Sequence, residues 1–436
     1  KMNLCALLLS LTVVASGFPF EKVEEPLNLP VDVLSLEQSN QPYDSELFGG
    51  DLILTEEQKQ YINALGNNGE LKEFRSKRGA PYVHAKKWPK NQPIPFYFNA
   101  NIAPEARVKI RQATMIMSAN TCIDYKENGN GVSKIEFYNG AGCSSALGAP
   151  NPGDNTFISM NTGCEDNKVT ILHELTHSLG IDHTQNRFDR DRYVTVNYDA
   201  ISLNYKHNYD KLTEDQNNNL GLPYEYGSAM HYGPFDFTTG RQPSIIPKDA
   251  AYQKTLKQRN YMTFNDYKMI NTLYNCTEKC KVKLICQNGG YMHHRDCNRC
   301  VCNPFYTGLL CEKEKQTQVV QSKYTTVFEQ EGDRISDSFD YETFKKDEPR
   351  LIKAPVGRRL NVTIMRMDNI RYLLGCSSCK NYGIELTDGD LSLVGKIFCC
   401  EEDQGLSFIS KTNVIGYKAY SYYVRPFHAT VSYTVV

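Results

Sequence analysis

The sequence predicts an α+β domain at its centre, followed by a small disulfide-rich module and a C-terminal all-β sandwich. Three observations carry that prediction. Between residues 79 and 276, strand-like runs such as IPFYFN and KIEFYN alternate with helical periodicity, and a helix opening at Pro104 places Ala106, Ile110, Ala113 and Met117 on one face. Six cysteines (Cys280, Cys286, Cys297, Cys300, Cys302, Cys311) then fall within 32 residues, a density at which cross-links replace a hydrophobic core. From about Tyr324 to Val436, segments such as RLNVTIMRM and ATVSYTVV alternate with period two.

The first 17 residues contain LCALLLSLTVVASG (Leu4 to Gly17), a short apolar run ending in small residues. It reads as a signal peptide cleaved after Gly17; a buried N-terminal helix is the alternative, disfavoured because Pro-rich acidic sequence follows at once. No later stretch reaches the ~18–20 apolar residues that span a bilayer, so a secreted, extracellular product without a membrane span is expected. The cysteines agree, because setting aside Cys5 leaves fourteen of fifteen, an even number suited to an oxidising compartment. In that setting Asn361-Val362-Thr363 is a glycosylation acceptor, and Asn275-Cys276-Thr277 a poorer one because Cys276 is expected to be bonded. The 436 residues are 40 % apolar with a net charge of −1, enough for several globular domains. No basic face argues for nucleic acid.

Residues 18–78 carry no cysteine, and their one helix signal is TEEQKQYINALG, with Thr55 and Gln58 as a capping box and Gly66 as terminator. The stretch ends in RSKR (Arg75 to Arg78), a dibasic-type site for a processing protease, or else a solvated charge run. Within 79–276 lie Cys122, Cys143, Cys164 and Cys276, and pairing the outer two closes a loop around nearly the whole domain. The CxxC pair Cys297 and Cys300 could hold zinc, but exported thiols oxidise and no histidine stands at matching spacing. A charged, Gln-rich linker over 314–323 leads to the sandwich, 324–436.

The chemistry concentrates in HELTHSLGIDH, residues 173–183, which holds three of the nine histidines. On a helix, positions i and i+4 lie one above the other, so His173 and His177 present two imidazoles to one point. Gly180 can take the φ > 0 conformation that ends a helix, and the turn lets His183 approach the same point from another side. Three imidazoles leave a tetrahedral zinc with one open position, the catalytic rather than the structural pattern. Zinc lowers the pKa of a water there to about 7, and Glu174 stands beside the metal as a base for its proton. Exposed helical histidines would explain HExxH alone, but not the added glycine and third histidine.

With SAMHY (Ser228 to Tyr232), the run HELTHSLGIDHTQNRFDRD resembles the astacin family of metzincin zinc endopeptidases. IPFYF, GCSSALG, YEYGSAMHYGPFDF and IPKDAAYQKTLKQRN extend the resemblance over nearly all of 79–276. It implies a metzincin fold and one zinc per catalytic domain, on His173, His177 and His183. It also implies Glu174 as base, a Met-turn at Met230, and disulfides Cys122–Cys276 and Cys143–Cys164. By themselves Met230 and Tyr232 read as core residues; the resemblance places Met230 beneath the metal and makes Tyr232 a zinc ligand at rest that swings to the oxyanion during turnover. FGGD (Phe48 to Asp51), a plain turn on its own, resembles the propeptide motif whose aspartate occupies the open zinc position. That makes 18–78 a propeptide and the chain a zymogen.

Downstream, CQNGGY and CVCNPFYTGLLC resemble an EGF-like module over 277–313, implying Cys280–Cys297, Cys286–Cys300 and Cys302–Cys311. The last region, with LIKAPVGRRLNVTI, resembles a CUB domain more loosely, and the pairing of Cys376, Cys379, Cys399 and Cys400 stays open. The order of modules is similar to that of secreted nematode astacins. Two positions depart from the family pattern: Thr184 replaces the glutamate that usually follows the third histidine and receives the new amino terminus, and Ile181 replaces phenylalanine. The expected function is cleavage of internal bonds in extended protein or peptide substrates, after activation at Arg78. A catalytically silent matrix or adhesion protein, binding extracellular partners through its EGF-like and CUB-like modules, is the alternative.

Overall fold

The computed structural model describes residues 47–59 and 85–436 except 57, 141, 162, 241, 257, 259, 316–324, 328–333, 340–348, 368–378, 380–381 and 422–427. The signal peptide, the RSKR site, most of the Thr55 helix, most of the linker and Cys376 therefore lie outside the described residues. Where that helix begins, Thr55 N–H donates to Gln58 Oε1 (2.8 Å) and Gln58 N–H to Thr55 Oγ1 (3.2 Å), the reciprocal bonds of a capping box.

A six-stranded sheet forms the first layer of the α+β region. Its strands are β1 (Leu52–Ile53), β2 (Ile94–Phe98), β3 (Tyr125–Glu127), β4 (Ile135–Tyr138), β5 (Cys143–Ala146) and β6 (Thr156–Met160), in spatial order β1-β5-β6-β4-β2-β3. Only β5 and β6 pair antiparallel; β1, from the leader, lies parallel to β5 with Leu52 opposite Ser145. Alternation explains β4, whose Ile135 and Phe137 point into the core while Glu136 and Tyr138 do not.

Helix α1 (Pro104–Asn120) begins with proline at its first turn, where the missing N–H is not needed, and buries Ala106, Ile110, Ala113 and Met117. Helix α2 (Lys168–Ser178) is capped by Asn167, whose side chain accepts from Val169 N–H. Ile171 and Leu175 of α2 join Phe96, Phe137 and Ile158 of the sheet and Ile110 of α1 in one core. Burying each such aliphatic side chain contributes about 1.5–3 kcal/mol. Strands β7 (Val194–Val196) and β8 (Ile245–Pro247), far apart in sequence, pair antiparallel, and α3 (Phe264–Leu273) closes the region. Disulfides join Cys122 to Cys276 and Cys143 to Cys164.

Three disulfides, Cys280–Cys297, Cys286–Cys300 and Cys302–Cys311, hold the next segment. It has two small hairpins, β9 (Tyr291–Met292) with β10 (Cys300–Val301) and β11 (Tyr306–Thr307) with β12 (Lys313–Glu314). Arg295 fastens it to the α+β region by a double contact with Asp124 and a bond to Thr121 O (3.0 Å).

The last region is a two-sheet sandwich. Its strands are β13 (Thr325–Val327), β14 (Arg334–Phe339), β15 (Arg350–Lys353), β16 (Leu360–Met367), β17 (Tyr382–Asp388), β18 (Lys396–Phe398), β19 (Ser407–Ile409), β20 (Val414–Ser421) and β21 (Ala429–Val435). One sheet runs β13-β15-β20-β17-β18 and the other β14-β21-β16-β19. Cys379 bonds Cys399. All seven residues of β17 and all three of β18 are buried, so simple period-two reading fails there. The cause is a second partner on their outer side: Tyr261 donates to Glu385 (3.0 Å), and Lys396 bonds Asp388 (2.7 Å) while facing Asp249 of the α+β region (3.4 Å). No described helix is long and apolar enough to cross a membrane.

Candidate active site

Helix α2 ends where it must for the site to form. Gly180 N–H donates to His177 O (2.8 Å) with φ at +95°, a conformation that glycine adopts without a Cβ penalty. Trp88 Nε1–H and Tyr274 O–H satisfy the last carbonyls, Ser178 O at 2.8 Å and Leu179 O at 3.1 Å. The chain then doubles back and carries His183 to the two helical histidines.

Each helical imidazole is oriented by a backbone carbonyl. His173 Nδ1–H donates to Ala229 O (2.8 Å) and His177 Nδ1–H to Ile181 O (2.7 Å). Both Nε2 atoms are therefore lone-pair acceptors, yet they stand 3.0 Å apart in a fully buried pocket. Two ring nitrogens facing each other at that distance are reconciled by a positive charge they share, a proton or a metal ion. With His183 and Asp51, their ligand atoms lie within 4.8 Å of one another, and three imidazoles plus one carboxylate is a donor set that fits zinc.

Asp51 reaches the pocket on a turn of the leader. Its Oδ2 is 3.0 Å from His173 Nε2 and 3.2 Å from His183 Nε2, and Oδ1 is 3.6 Å from His177 Nε2. The turn needs both glycines. Gly49 and Gly50 have φ of +60° and +76°, and a Cβ on Gly50 would stand 2.4 Å from Phe237 Cζ. Backbone also holds the turn, through Ser145 N–H to Asp51 O (2.9 Å) and a paired bridge between Phe48 and Leu52. Burial alone would raise the Asp51 carboxyl and lower the His183 imidazole, but mutual attraction outweighs it. Asp51 is held well below the carboxylate range, and His183, with Asp182 assisting, is pushed up to about 9.

Glu174 is fully buried on α2 beside His173. Tyr232 is also fully buried; its hydroxyl donates to Gly49 O and its ring lies 4.6 Å from that of His183. Met230 is buried in the same core as α2, and its carbonyl accepts from Thr184 N–H (2.9 Å), tying the histidine loop to the 228–232 segment. Asn361 lies on β16 of the sandwich, opposite Ile409 and Thr434.

Sequence reading missed several supports. Gln185 accepts from Tyr232 N–H (3.0 Å), Phe237 covers the glycine turn, and Asp266 holds Ser228 Oγ (2.6 Å) and Ala229 N–H (3.0 Å). A signal existed only for Asp266, which follows Thr263 at capping-box spacing. Beside the histidine loop lies a cavity lined by Asp182, Thr184, Asn217, Ser228 and Asp266. Asp189 is taken up by a two-pronged contact with Arg187 (2.9 and 2.8 Å), whereas Asp182 Oδ2 is buried without a hydrogen-bond partner.

Comparison with known proteins follows the same ground. The peptidase family described as Astacin matches residues 81–275. Zinc metalloproteinase nas-28 of Caenorhabditis elegans is 30 % identical over 390 residues, covering 87 % of this chain and 77 % of that one. Zinc metalloproteinase nas-38 of the same organism is 36 % identical over 270 residues, covering 62 % of this chain but only 36 % of its relative. Among solved structures, the hatching enzyme zinc-protease HCE-1 of Oryzias latipes shows 33 % identity and a TM-score of 0.41, over 44 % of this chain and 94 % of that one.

Proposed function

This chain belongs to the astacin family of zinc metalloendopeptidases, and from that premise we propose that it is a secreted zymogen that hydrolyses internal peptide bonds of extracellular proteins. The observation that carries the reading is the convergence of His173, His177 and His183 on one buried point beside Glu174. His173, His177 and His183 hold the metal, which when bound supplies Lewis acidity toward the scissile carbonyl and a water acidified to a pKa of about 7. Glu174 accepts the proton of the attacking water and passes it to the leaving amine. Tyr232 donates its hydroxyl hydrogen to the oxyanion. An extended substrate adds a strand to the edge of β5, which the leader strand β1 occupies here.

Latency rests on the leader. Residues 18–78 would act as a propeptide in which Asp51, standing among the three histidines, would add its carboxylate to the groups that hold the metal, and Gly49 O accepts from the Tyr232 hydroxyl. A protease cutting after Arg78 frees the site. The disulfide-rich segment 277–313 serves as an EGF-like module and 324–436 as a CUB-like one, both open to extracellular protein partners, with a glycan on Asn361. The alternative of a silent adhesion protein gains nothing from a pocket that keeps all three histidines and Glu174. Digestion of a denatured protein by the processed chain, with and without a zinc chelator, tests the proposal. No chelator-sensitive cleavage would refute it.

A further inference from the structure

The 228–232 segment that supports His173 is not held by the α+β region alone. His173 Nδ1–H donates to Ala229 O (2.8 Å), and Ala229 N–H donates to Asp266 Oδ2 (3.0 Å). Asp266 also accepts from Ser228 Oγ (2.6 Å) and from Thr263 N–H (2.9 Å), and its own N–H donates to Thr263 Oγ1 (3.0 Å). Thr263 O–H donates onward to Glu225 Oε2 (2.6 Å), and Glu225 Oε1 accepts from Val394 N–H (3.0 Å). Val394 belongs to loop 389–395 of the sandwich, between β17 and β18. Every side chain in this series is buried.

Loop 389–395 is itself fixed. Thr255 Oγ1 donates to Gly395 O (2.9 Å), Asn265 Nδ2 to Ser392 O (3.2 Å), and Gly395 N–H to Glu385 Oε1 (3.1 Å). Shape supports the hydrogen bonds, because Gly227, next to Ser228, faces Val394 so closely that a Cβ on it would stand 2.6 Å from Val394 Cβ. Buried hydrogen-bonded networks of this kind hold the groups they join in fixed relation. Groups that orient a metal-binding histidine through its second ring nitrogen change metal affinity or activity about 10–100-fold when altered.

We propose that the C-terminal sandwich is part of the zinc site's support: loop 389–395, gripped by Glu225 as a positioning residue, sets the placement of His173 through Thr263, Asp266 and Ala229. Glu225 touches neither substrate nor metal. Its effect passes entirely through the 228–230 backbone, so a partner that shifts the sandwich changes the geometry at His173.

The inference rests on the zinc reading, and metal analysis of the parent chain comes first, because a parent that binds no zinc refutes that reading and not this one. The test uses the full processed chain. Gly227→Ala wedges the loop away from the α+β region, and the pair Gly227→Ala/Val394→Gly removes the wedge while keeping the Val394 N–H. Glu225→Ala removes the grip, whereas Glu225→Gln keeps an acceptor for Val394. Two readouts do not depend on turnover: the rate of zinc transfer to a chromophoric chelator, and the visible spectrum of the cobalt(II)-substituted protein. We expect Gly227→Ala and Glu225→Ala to lose zinc about tenfold faster, with an altered cobalt spectrum and kcat lowered at little-changed KM. The double variant and Glu225→Gln should return toward the parent. If Gly227→Ala does not fold, Glu225→Ala against Glu225→Gln decides. Parental zinc release and an unchanged cobalt spectrum in Glu225→Ala overturn the proposal.

Discussion

Substituting Gly50 tests the leader without touching any group that could bind metal. At φ of +76° an alanine pays the left-handed penalty of about 1–2 kcal/mol. Its Cβ would also stand 2.4 Å from Phe237 Cζ, and because Phe237 is buried among Tyr205, Tyr209 and Tyr232 the ring has little room to withdraw. Overpacking of this kind costs about 1–3 kcal/mol. Together the two terms weaken the docked turn by about 2–5 kcal/mol, or roughly 30- to 3000-fold at 1.4 kcal/mol per decade.

The assay is hydrolysis of a quenched-fluorescent peptide by the unprocessed chain, with Arg78→Gln included to prevent cleavage of the leader. We expect the activity of Gly50→Ala to rise at least about 30-fold over the parent, toward that of Asp51→Ala, which removes the blocking carboxylate itself. Gly153→Ala is the control, since Gly153 has φ of +99° but nothing within 4 Å of the added Cβ. It should lose some stability and stay latent. If Gly50→Ala remains as inactive as its parent, the turn does not hold the leader and steric cover by other leader residues must.

Glu174→Gln should keep its zinc and lose about 10²–10⁴-fold in kcat, measured by metal analysis beside the peptide assay; near-parental turnover would remove Glu174 as the base. Processed forms beginning at Arg78, Gly79 and Pro81 should agree in kcat/KM within tenfold, because Thr184 offers the new ammonium only a hydroxyl and Asp189 is committed to Arg187; a larger drop would show that another group reads the terminus, with Asp182, whose Oδ2 has no hydrogen-bond partner, the first candidate. Burial, with Asp266 and Glu385 nearby, pushes the Glu225 carboxyl up to about 8. The folded chain thus keeps a proton that the unfolded chain releases near 4.5, and stability should fall as pH rises from about 4.5 to about 8. Glu225→Gln should flatten that part of the Tm–pH curve, and an unchanged slope would show that another group sets it.

What was legible in the sequence follows from how locally each feature is encoded. HELTHSLGIDH specifies its own geometry, because helical spacing and one glycine suffice to bring three histidines to a point. The face of α1 was equally readable, since its four apolar positions recur at helical intervals. Asp51 was different: nothing in FGGD says which distant pocket the turn enters, and resemblance to a family had to supply the address. Phe237 left no local signal and Asp266 only its capping-box spacing, because contact with Gly50 and Ala229 arises only once sheet and helix have packed. Period-two alternation is absent from the burial of β17 for the related reason that its outward residues meet another region of the same chain.

The leader's hold on the site explains why a single cut could release it. Among the described residues, the 47–59 segment is held by the two-residue strand β1, by one turn with Asp51 among the histidines, Gly49 on Tyr232 and Gly50 against Phe237, by Gln58 on Leu147 O (3.1 Å), and by the buried Leu47, Leu52 and Leu54. Such a hold suffices while the segment is tethered, because attachment makes docking intramolecular and raises its effective concentration. On the proposed reading, a cut at Arg78 replaces an intramolecular equilibrium by a bimolecular one, in which the freed segment would compete with substrate for the edge of β5 and for Tyr232. The glycines let the turn enter the pocket without a Cβ penalty, while burial of Leu47, Leu52 and Leu54 supplies the apolar share of the hold that release must overcome.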